Sequence, residues 1–429
     1  MKKYLIAAVL AAGCTTAVFS QGLQRDVQYW RPYDQRGLNV FETSKLDTVP
    51  FEGVKVRVGG SFTQQFQNLS HENTASPVMN PAGVNLNQLM DIGFGSNLAT
   101  ANLNIDVELM DGVRLNLISY LSSRHHPESW VKGGYLQLDK LPFLGNPDWF
   151  AKYLTLRVGH MEINYGDAHF RRTDNGNAIY NPFVGNYIMD AFTTEVGGDL
   201  TFQNNGFLVM GGMTGGEIQG GVTNPDKRKV SLIGKVGYDK QLSDDFRLRV
   251  TGSIYTTSGS SRNTLYGGDR AGSRYYLVME NTLASTSSNF TSGRINPGQT
   301  DNITAMVFNP FIKYKGLELF GNIEQSKGKA ANESEDRTWN QLGADAVYRF
   351  GSREKFYLAG RYNKVNGTLA GSGLEVSIDR VQIGGGWFIS KNILAKLEYV
   401  SQNYEGFATT DIRNGGKFNG LMIEGVIGF

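Results

Sequence analysis

Cysteine is all but missing from this sequence: 429 residues contain one, Cys14. That excludes a fold stapled by disulfides. Long apolar runs are missing too. Beyond the N-terminus no stretch approaches the run of about 18 apolar residues that a membrane helix needs, and mean hydropathy is −0.31. No long window repeats at i, i+3 and i+4, which excludes a helical domain. An excess of one charge sign is lacking, since the formal net charge is +2 and Lys2 and Lys3 account for it. Neutrality argues against nucleic acid as a partner. Chemistry-bearing clusters are sparse as well. The 5 histidines are His71, His125, His126, His160 and His169. Asp167 and His169 resemble part of a hydrolase site, but no serine-nucleophile motif accompanies them. His71 with His125-His126 lacks the spacing of a metal site, and no cofactor is expected.

What is present is glycine, 53 against 11 prolines, with 24 Phe and 20 Tyr. The N-terminus MKKYLIAAVLAAGCTTAVFSQG has a basic start, an apolar centre and a small-residue site before Gln21. It predicts a cleaved secretory signal peptide over residues 1–20. Residues 21–50 are polar and irregular and predict a periplasmic or lumenal segment. From residue 51 to 429 the chain alternates apolar and polar residues at a period of two, the period of a strand. The clearest case is Leu103, Ile105, Val107 and Leu109 alternating with Asn102, Asn104, Asp106 and Glu108. The hairpin signal Asp111-Gly112 follows it. Read this way, the sequence predicts about sixteen strands joined alternately by short turns and long loops, the last one ending at Phe429. The fold class expected is all-β: a transmembrane antiparallel up-and-down barrel with short periplasmic turns and long extracellular loops. Two places break the alternation. The apolar phase slips near Gly159-His160, which predicts a β-bulge there. Pro310 inside strand ten predicts a bulge or a missing ladder bond. The longest loop, from Ser258 to Asp301, is expected to hold a hairpin around Tyr275 to Met279.

If the aliphatic face meets lipid, the alternate face lines the interior. That face carries Lys55, Arg57, Arg114, Arg157, Arg247, Arg249, Arg349, Arg361 and Lys396. It also carries Asp106, Glu108, Glu195, Asp199, Glu398 and Glu424. Such residues do not form a dry core, and a barrel of this size leaves an aqueous channel, so the expectation is a water-filled pore. A barrel blocked by its own loops is the alternative. The loop after strand five, GDAHFRRTDNGNAIYNPFVGNYIMD, is the expected constriction. Asp167, His169, Arg171, Arg172 and Asp174 would set a transverse field and a size limit there; a solvated surface loop is the alternative.

Signal peptide, alternating strands, a long loop after strand five and a terminal Phe together resemble the general porins of bacterial outer membranes. The run LRVGHMEINYGDAHFRRTDNG resembles porin-like proteins of the Bacteroidetes type and, more loosely, phosphate-selective porins. The resemblance implies passive diffusion of small hydrophilic solutes or ions, often through homotrimers, in a barrel embedded in outer-membrane lipid. It implies that Phe429 is read by the barrel assembly machinery. The basic pair Arg171-Arg172 departs from the acidic loop usual in general porins. Rival readings are a barrel component of a transport or secretion assembly, with residues 21–50 as its docking arm, and an outer-membrane enzyme.

Overall fold

The computed structural model describes residues 26–429 apart from 48, 123, 125–127, 220, 223, 224, 271 and 273. The predicted signal peptide, Cys14, His125 and His126 lie outside the described residues. Alternation drives the chain into strands because an extended backbone sends successive side chains to opposite faces. The strands are β1 (Lys55–Glu72), β2 (Thr100–Met110), β3 (Val113–Leu121), β4 (Trp130–Leu138) and β5 (Leu154–Glu162). After a long loop come β6 (Thr194–Asn204), β7 (Phe207–Thr214), β8 (Ser231–Ser243) and β9 (Phe246–Thr257). The rest are β10 (Asn302–Tyr314), β11 (Leu317–Lys329), β12 (Arg337–Phe350), β13 (Phe356–Thr368), β14 (Glu375–Ser390), β15 (Ile393–Glu405) and β16 (Lys417–Gly428). A two-residue strand, Gly95–Ser96, adds to the edge of β1.

Each strand pairs antiparallel with the next, and β16 returns to β1, with Phe62 opposite Ile427 and Phe66 opposite Ile423. The sheet is a closed barrel with no free edge. The turn between β6 and β7 shows how local chemistry sets this wiring. Asn205 and Gly206 both have positive φ, 47° and 91°, the pairing that a tight hairpin turn requires. On the outer face Leu421, Ile423, Ile427 and Phe429 are exposed, while Met422, Glu424 and Val426 of the same strand are buried inside. At the short-turn end the rings of Tyr348, Phe350, Phe356 and Trp387 stack in series, with centroids 6.0, 5.8 and 6.1 Å apart. This is an aromatic girdle of the kind that marks a membrane boundary.

Pro310 breaks the ladder as expected. The pairing of β10 with β11 skips from Phe308–Ile323 to Phe311–Phe320. Asn309 Nδ2 donates to the Gly321 carbonyl at 3.0 Å, and Gly321 has no side chain to meet the proline ring, which would stand 2.8 Å from a Cβ.

Two expectations are corrected. The register of β5 runs unbroken against both neighbours. The extra residue sits one strand away, in β4, where Ile118 pairs with Gly133 and Ser119 with Val131, leaving Lys132 bulged and buried. The phase slip near Gly159 arises because His160, Met161 and Glu162 all line the same interior cavity. The segment Tyr275 to Met279 is no hairpin. It is a series of turns with positive φ at Leu277 and Met279, and Tyr275 and Val278 are fully buried inside the barrel.

Strands β11, β13 and β15 extend beyond the apolar stretch visible in sequence, to Lys329, Thr368 and Glu405. There the outer positions turn polar (Gln325, Lys327, Lys364, Asn366, Asn403), so alternation disappears while the ladder continues.

Candidate functional site

Three segments fill most of the barrel interior. Residues 163–193 fold inward from the end of β5, and Ile179, Phe183, Val184, Ile188 and Met189 have almost no exposed surface. Residues 258–301 add Leu265, Tyr266, Tyr275 and Val278. Residues 26–50 enter from the short-turn end and bury Val27, Tyr29 and Phe41. These segments carry apolar side chains too numerous for a solvated loop, and the lumen is the place the fold offers to bury them.

The inward wall charges therefore meet protein, not bulk water. Arg361 makes a two-point pair with Asp345 at 2.6 and 2.7 Å and reaches the Gly185 carbonyl. Arg349 holds Glu318 at 2.7 Å, Lys396 holds Glu424 at 2.8 Å, and Arg247 holds Asp239 at 2.7 Å. Glu398 accepts from Tyr275 Oη at 2.6 Å and from the Val184 N–H at 2.7 Å. Glu195 accepts from Tyr255 Oη at 2.9 Å. Lys55 stands 3.8 Å from Glu108, and Arg57 lies 4.1 Å over Trp30. An ion pair in such a setting is retained only when its remaining hydrogen bonds are met. The expected wide water-filled lumen is thus corrected: its charges are consumed by pairs and by the carbonyls of the inward segments.

Packing is not complete everywhere among the described residues. A cavity of about 220 Å³ lies between the walls of β2–β6 and the folded-in loop. Of the predicted lumen residues, Arg114 and Arg157 line it; they pair with Asp106 at 2.6 Å and with Asp199 at 2.5 Å. Asp106 and Asp199 stand directly behind these two lining arginines, and the remaining predicted wall residues are not part of the lining.

Three of the predicted constriction residues, His169, Arg172 and Asp174, come together on one cavity, with Arg172 4.0 Å from Asp174, and Asp167 and Arg171 do not join them. Each goes to a different partner. Asp167 accepts from Arg249 at 2.7 and 2.8 Å and from Thr251 Oγ1 at 2.8 Å, with Lys235 Nζ 2.7 Å away. Burial opposes its ionisation, but Lys235 and Arg249 outweigh that and bring its pKa down to about 2. Arg171 goes to Asn39 and, at 3.5 Å, to Glu318. Arg172 binds Asp190 at 2.6 Å and Asp269 at 2.8 Å. Asp174 pairs with the bulged Lys132. His169 sits between Glu162 at 2.5 Å and Asn164 at 3.0 Å, and burial lowers its pKa and favours the neutral ring despite Glu162. His169, Arg172 and Asp174 line the cavity, whereas Asp167 and Arg171 anchor the loop on the packed side. With its carboxylate taken by two cations, Asp167 does not partner His169. Among the described residues no three His, Cys, Asp or Glu side chains come together as metal ligands.

Sequence reasoning allowed residues 21–50 a lumenal course but named none of them as a site residue. Trp30, Arg31, Tyr33 and Glu42 line the cavity. Tyr33 Oη donates to Asp106 at 2.7 Å, and Arg31 stacks 3.7 Å over Tyr180. The signal was the density of aromatic rings in an otherwise polar stretch.

No family model and no curated protein matches this chain. Solved structures do match over nearly its whole length. The anion-selective porin of Comamonas acidovorans superposes with a TM-score of 0.52 at 12% identity, over 88% of this chain and 100% of that one. The outer membrane channel DcaP of Acinetobacter baumannii gives 0.52 at 10% identity, over 89% and 99%. OmpT of Vibrio cholerae, an outer membrane protein in its trimer form, gives 0.51 at 12% identity, over 88% and 100%. At these identities the likeness is one of fold: a sixteen-stranded porin barrel.

Proposed function

We propose that this chain is an outer-membrane channel through which small hydrophilic solutes diffuse passively, and that the route is the side cavity along β2–β6. The observation that carries this reading is the height of the cavity. Thr194 and Gln203, at opposite ends of β6, both line it; nine residue steps at about 3.3 Å make about 30 Å of strand, or about 23 Å of height at a strand tilt of about 40°. A closed barrel with an apolar outer face and an aromatic girdle supports placement in the outer membrane. The lining suits a narrow, selective passage, with His169, Arg172 and Asp174 on the loop facing Arg114 and Arg157 on the wall. Phosphate selectivity is not part of the proposal, because the wall and loop cations Arg114, Arg157, Arg172 and Lys132 already have carboxylate partners. Assembly as a homotrimer and recognition of Phe429 by the barrel assembly machinery belong to the same reading, as does kinship with porin-like proteins of the Bacteroidetes type.

Planar-bilayer recording of the purified protein tests it. The expected result is discrete openings of small conductance that grow when the loop is thinned by Arg172→Ala with Asp174→Ala. Absence of any channel, in wild type and double variant alike, would overturn the reading.

A further inference from the structure

One connection at the short-turn end is not short. Between β4 and β5 the chain runs through a 3₁₀ turn, Pro142–Leu144, and a helix, α1 (Asp148–Tyr153). Gly145 and Asn146, with φ of 75° and 52°, redirect the chain between the two. On the flanking strands Arg114, Gln137 and Thr155 line the cavity, so by alternation Val113, Leu136, Leu138, Leu154 and Leu156 point outward. Phe150 of α1 forms one apolar cluster with all five, and Val113 and Leu138 are buried there. The helix therefore lies against the outer face of the barrel and not across its mouth. Beside it the Tyr153 ring stands 5.6 Å from Phe202, which points outward between the cavity residues Thr201 and Gln203. The far side of the connection is bare and apolar: Phe143, Leu144 and Trp149 are 58, 66 and 60% exposed.

Position decides what covers this face. On β12–β14 the outward rings at the short-turn end are Phe350, Phe356 and Trp387, the girdle. At the same end of β3–β5 the strands offer only the aliphatic Val113, Leu138 and Leu154. The rings there come from the connection: Phe143, Trp149, Phe150 and Tyr153. We propose that residues 140–153 form a membrane foot that completes the girdle where the strands lack it. Phe143, Leu144 and Trp149 sit among the phospholipids of the leaflet on the short-turn side, at the boundary between acyl chains and headgroups. Aromatic side chains favour that boundary, and interfacial helices bury their apolar face about 5–10 Å into it. Water there would face three large apolar side chains in one short stretch, continuous with the lipid-facing wall. The inference rests on the outer-membrane reading for the bilayer itself, and it is testable apart from conduction.

The test uses the full mature chain, residues 21–429, which contains no cysteine. Single variants Leu144→Cys, Trp149→Cys, Trp387→Cys and Lys391→Cys each carry a nitroxide label, and all four positions are exposed. The labelled proteins are reconstituted in vesicles of phosphatidylethanolamine and phosphatidylglycerol. Collisions of each label with oxygen, which partitions into lipid, and with an aqueous nickel chelate on both sides of the bilayer are measured by electron paramagnetic resonance. Position 387 in the girdle is the lipid reference, and position 391 in an open turn is the water reference. Labels at 144 and 149 should match 387, favouring oxygen over nickel by about fivefold or more relative to 391, because a hydrated ion does not enter an apolar phase. Values at 144 and 149 matching 391, with 387 still lipid-like, would overturn the foot and leave the patch to a water-borne protein partner. Labels at 144 and 149 shielded from both reagents would overturn it in favour of a second copy of the chain. A water-like 387 would sink the membrane placement itself, and the foot with it. Lipid-like labels at 144 and 149 in a preparation that conducts nothing would leave the foot standing and sink only the channel.

Discussion

The inward-folded loop of residues 163–193 meets the barrel wall on two sides and does opposite things there. Against β8–β15 it is closely packed and hydrogen-bonded. Ile188 N–H donates to Asn363 Oδ1 at 2.7 Å, Met189 N–H to Gln341 Oε1 at 3.0 Å, and Tyr187 Oη to Asp345 at 3.0 Å. Lys396 and Arg380 reach back to the loop carbonyls of Ala178 and Asn186, both at 2.6 Å. Against β2–β6 the same loop stands off and leaves the cavity. The two wall faces have similar compositions, charged and amide side chains at every second position. The difference lies in what comes to meet them. Where loop carbonyls and N–H groups arrive in register, an inward charged face becomes a core. Where they do not, it becomes a passage. If the two sides differ in this way, substitutions of one chemical type should give stability effects on the packed side and transport effects on the open side.

The largest effect is expected on the packed side. Arg361→Ala strips Asp345 of its two-point partner in a site where both side chains are almost fully buried, and it removes the stacking on Phe183 and Tyr187 at 4.3 and 4.2 Å. Leaving one buried charge without its partner costs about 3–5 kcal/mol. Thermal unfolding followed by circular dichroism should show a loss of that order, and a loss below about 1 kcal/mol would mean that water already reaches the pair.

Acid should act next, also through a packed-side anchor. Asp167 has a folded pKa of about 2, below its unfolded value of about 3.9. Its contribution is therefore complete above about pH 4, and it is lost as pH falls toward 2. The stabilisation at neutral pH is about 3 kcal/mol. Asp167→Asn should flatten that part of the pH–stability curve between about pH 4 and 2, and an unchanged acid limb would assign the loss to other carboxylates.

How much of this was legible beforehand follows the same division. The outer face could be read because lipid imposes a rule on every second residue, as in Leu103-Ile105-Val107-Leu109. Turns such as Asn205-Gly206 could be read because backbone sterics restrict what fits there. That both signs of charge face inward was also visible. Which carboxylate meets which guanidinium was not, since Arg249 and Asp167 are far apart in sequence and meet only when the loop folds in. The inward course of 163–193 had a signal in Ile179, Tyr180, Phe183 and Val184, which no solvated loop can expose cheaply. Residues 26–50 had the same signal in Tyr29, Trp30, Tyr33 and Phe41. The inward folding of the loop was legible as a constriction, and a lumenal course for 21–50 as one of two readings. The dense packing of both was not, because charge in the lumen, read alone, implies water.

On the open side the same kind of substitution should read out differently. Arg157 pairs with Asp199 but keeps 20% of its side chain exposed and lines the cavity. Arg157→Ala should cost only about 1 kcal/mol, because solvent in the cavity can take over the carboxylate. It should also raise cation preference, measured as a shift of reversal potential in a salt gradient. A stability loss matching that of Arg361→Ala, with no shift in reversal potential, would erase the distinction between the two sides.

The smallest effect marks where packing ends altogether. Lys391, in the turn between β14 and β15, lies 3.9 Å from Asp34 with 58% of its side chain exposed. Asp34 does not depend on it, because Arg36 already supplies a cation at 2.9 Å and a backbone N–H at 2.9 Å. The attachment of residues 26–50 at this turn runs instead through backbone, from the Gln35 N–H to the Lys391 carbonyl at 2.8 Å. That bond survives any side-chain change at 391. Lys391→Ala should therefore shift unfolding by less than about 0.5 kcal/mol and leave conductance unchanged. A larger loss would mean that the N-terminal segment is held by its rim charges, and that its seat inside the barrel is weaker than the buried contacts of Val27, Tyr29 and Phe41 require.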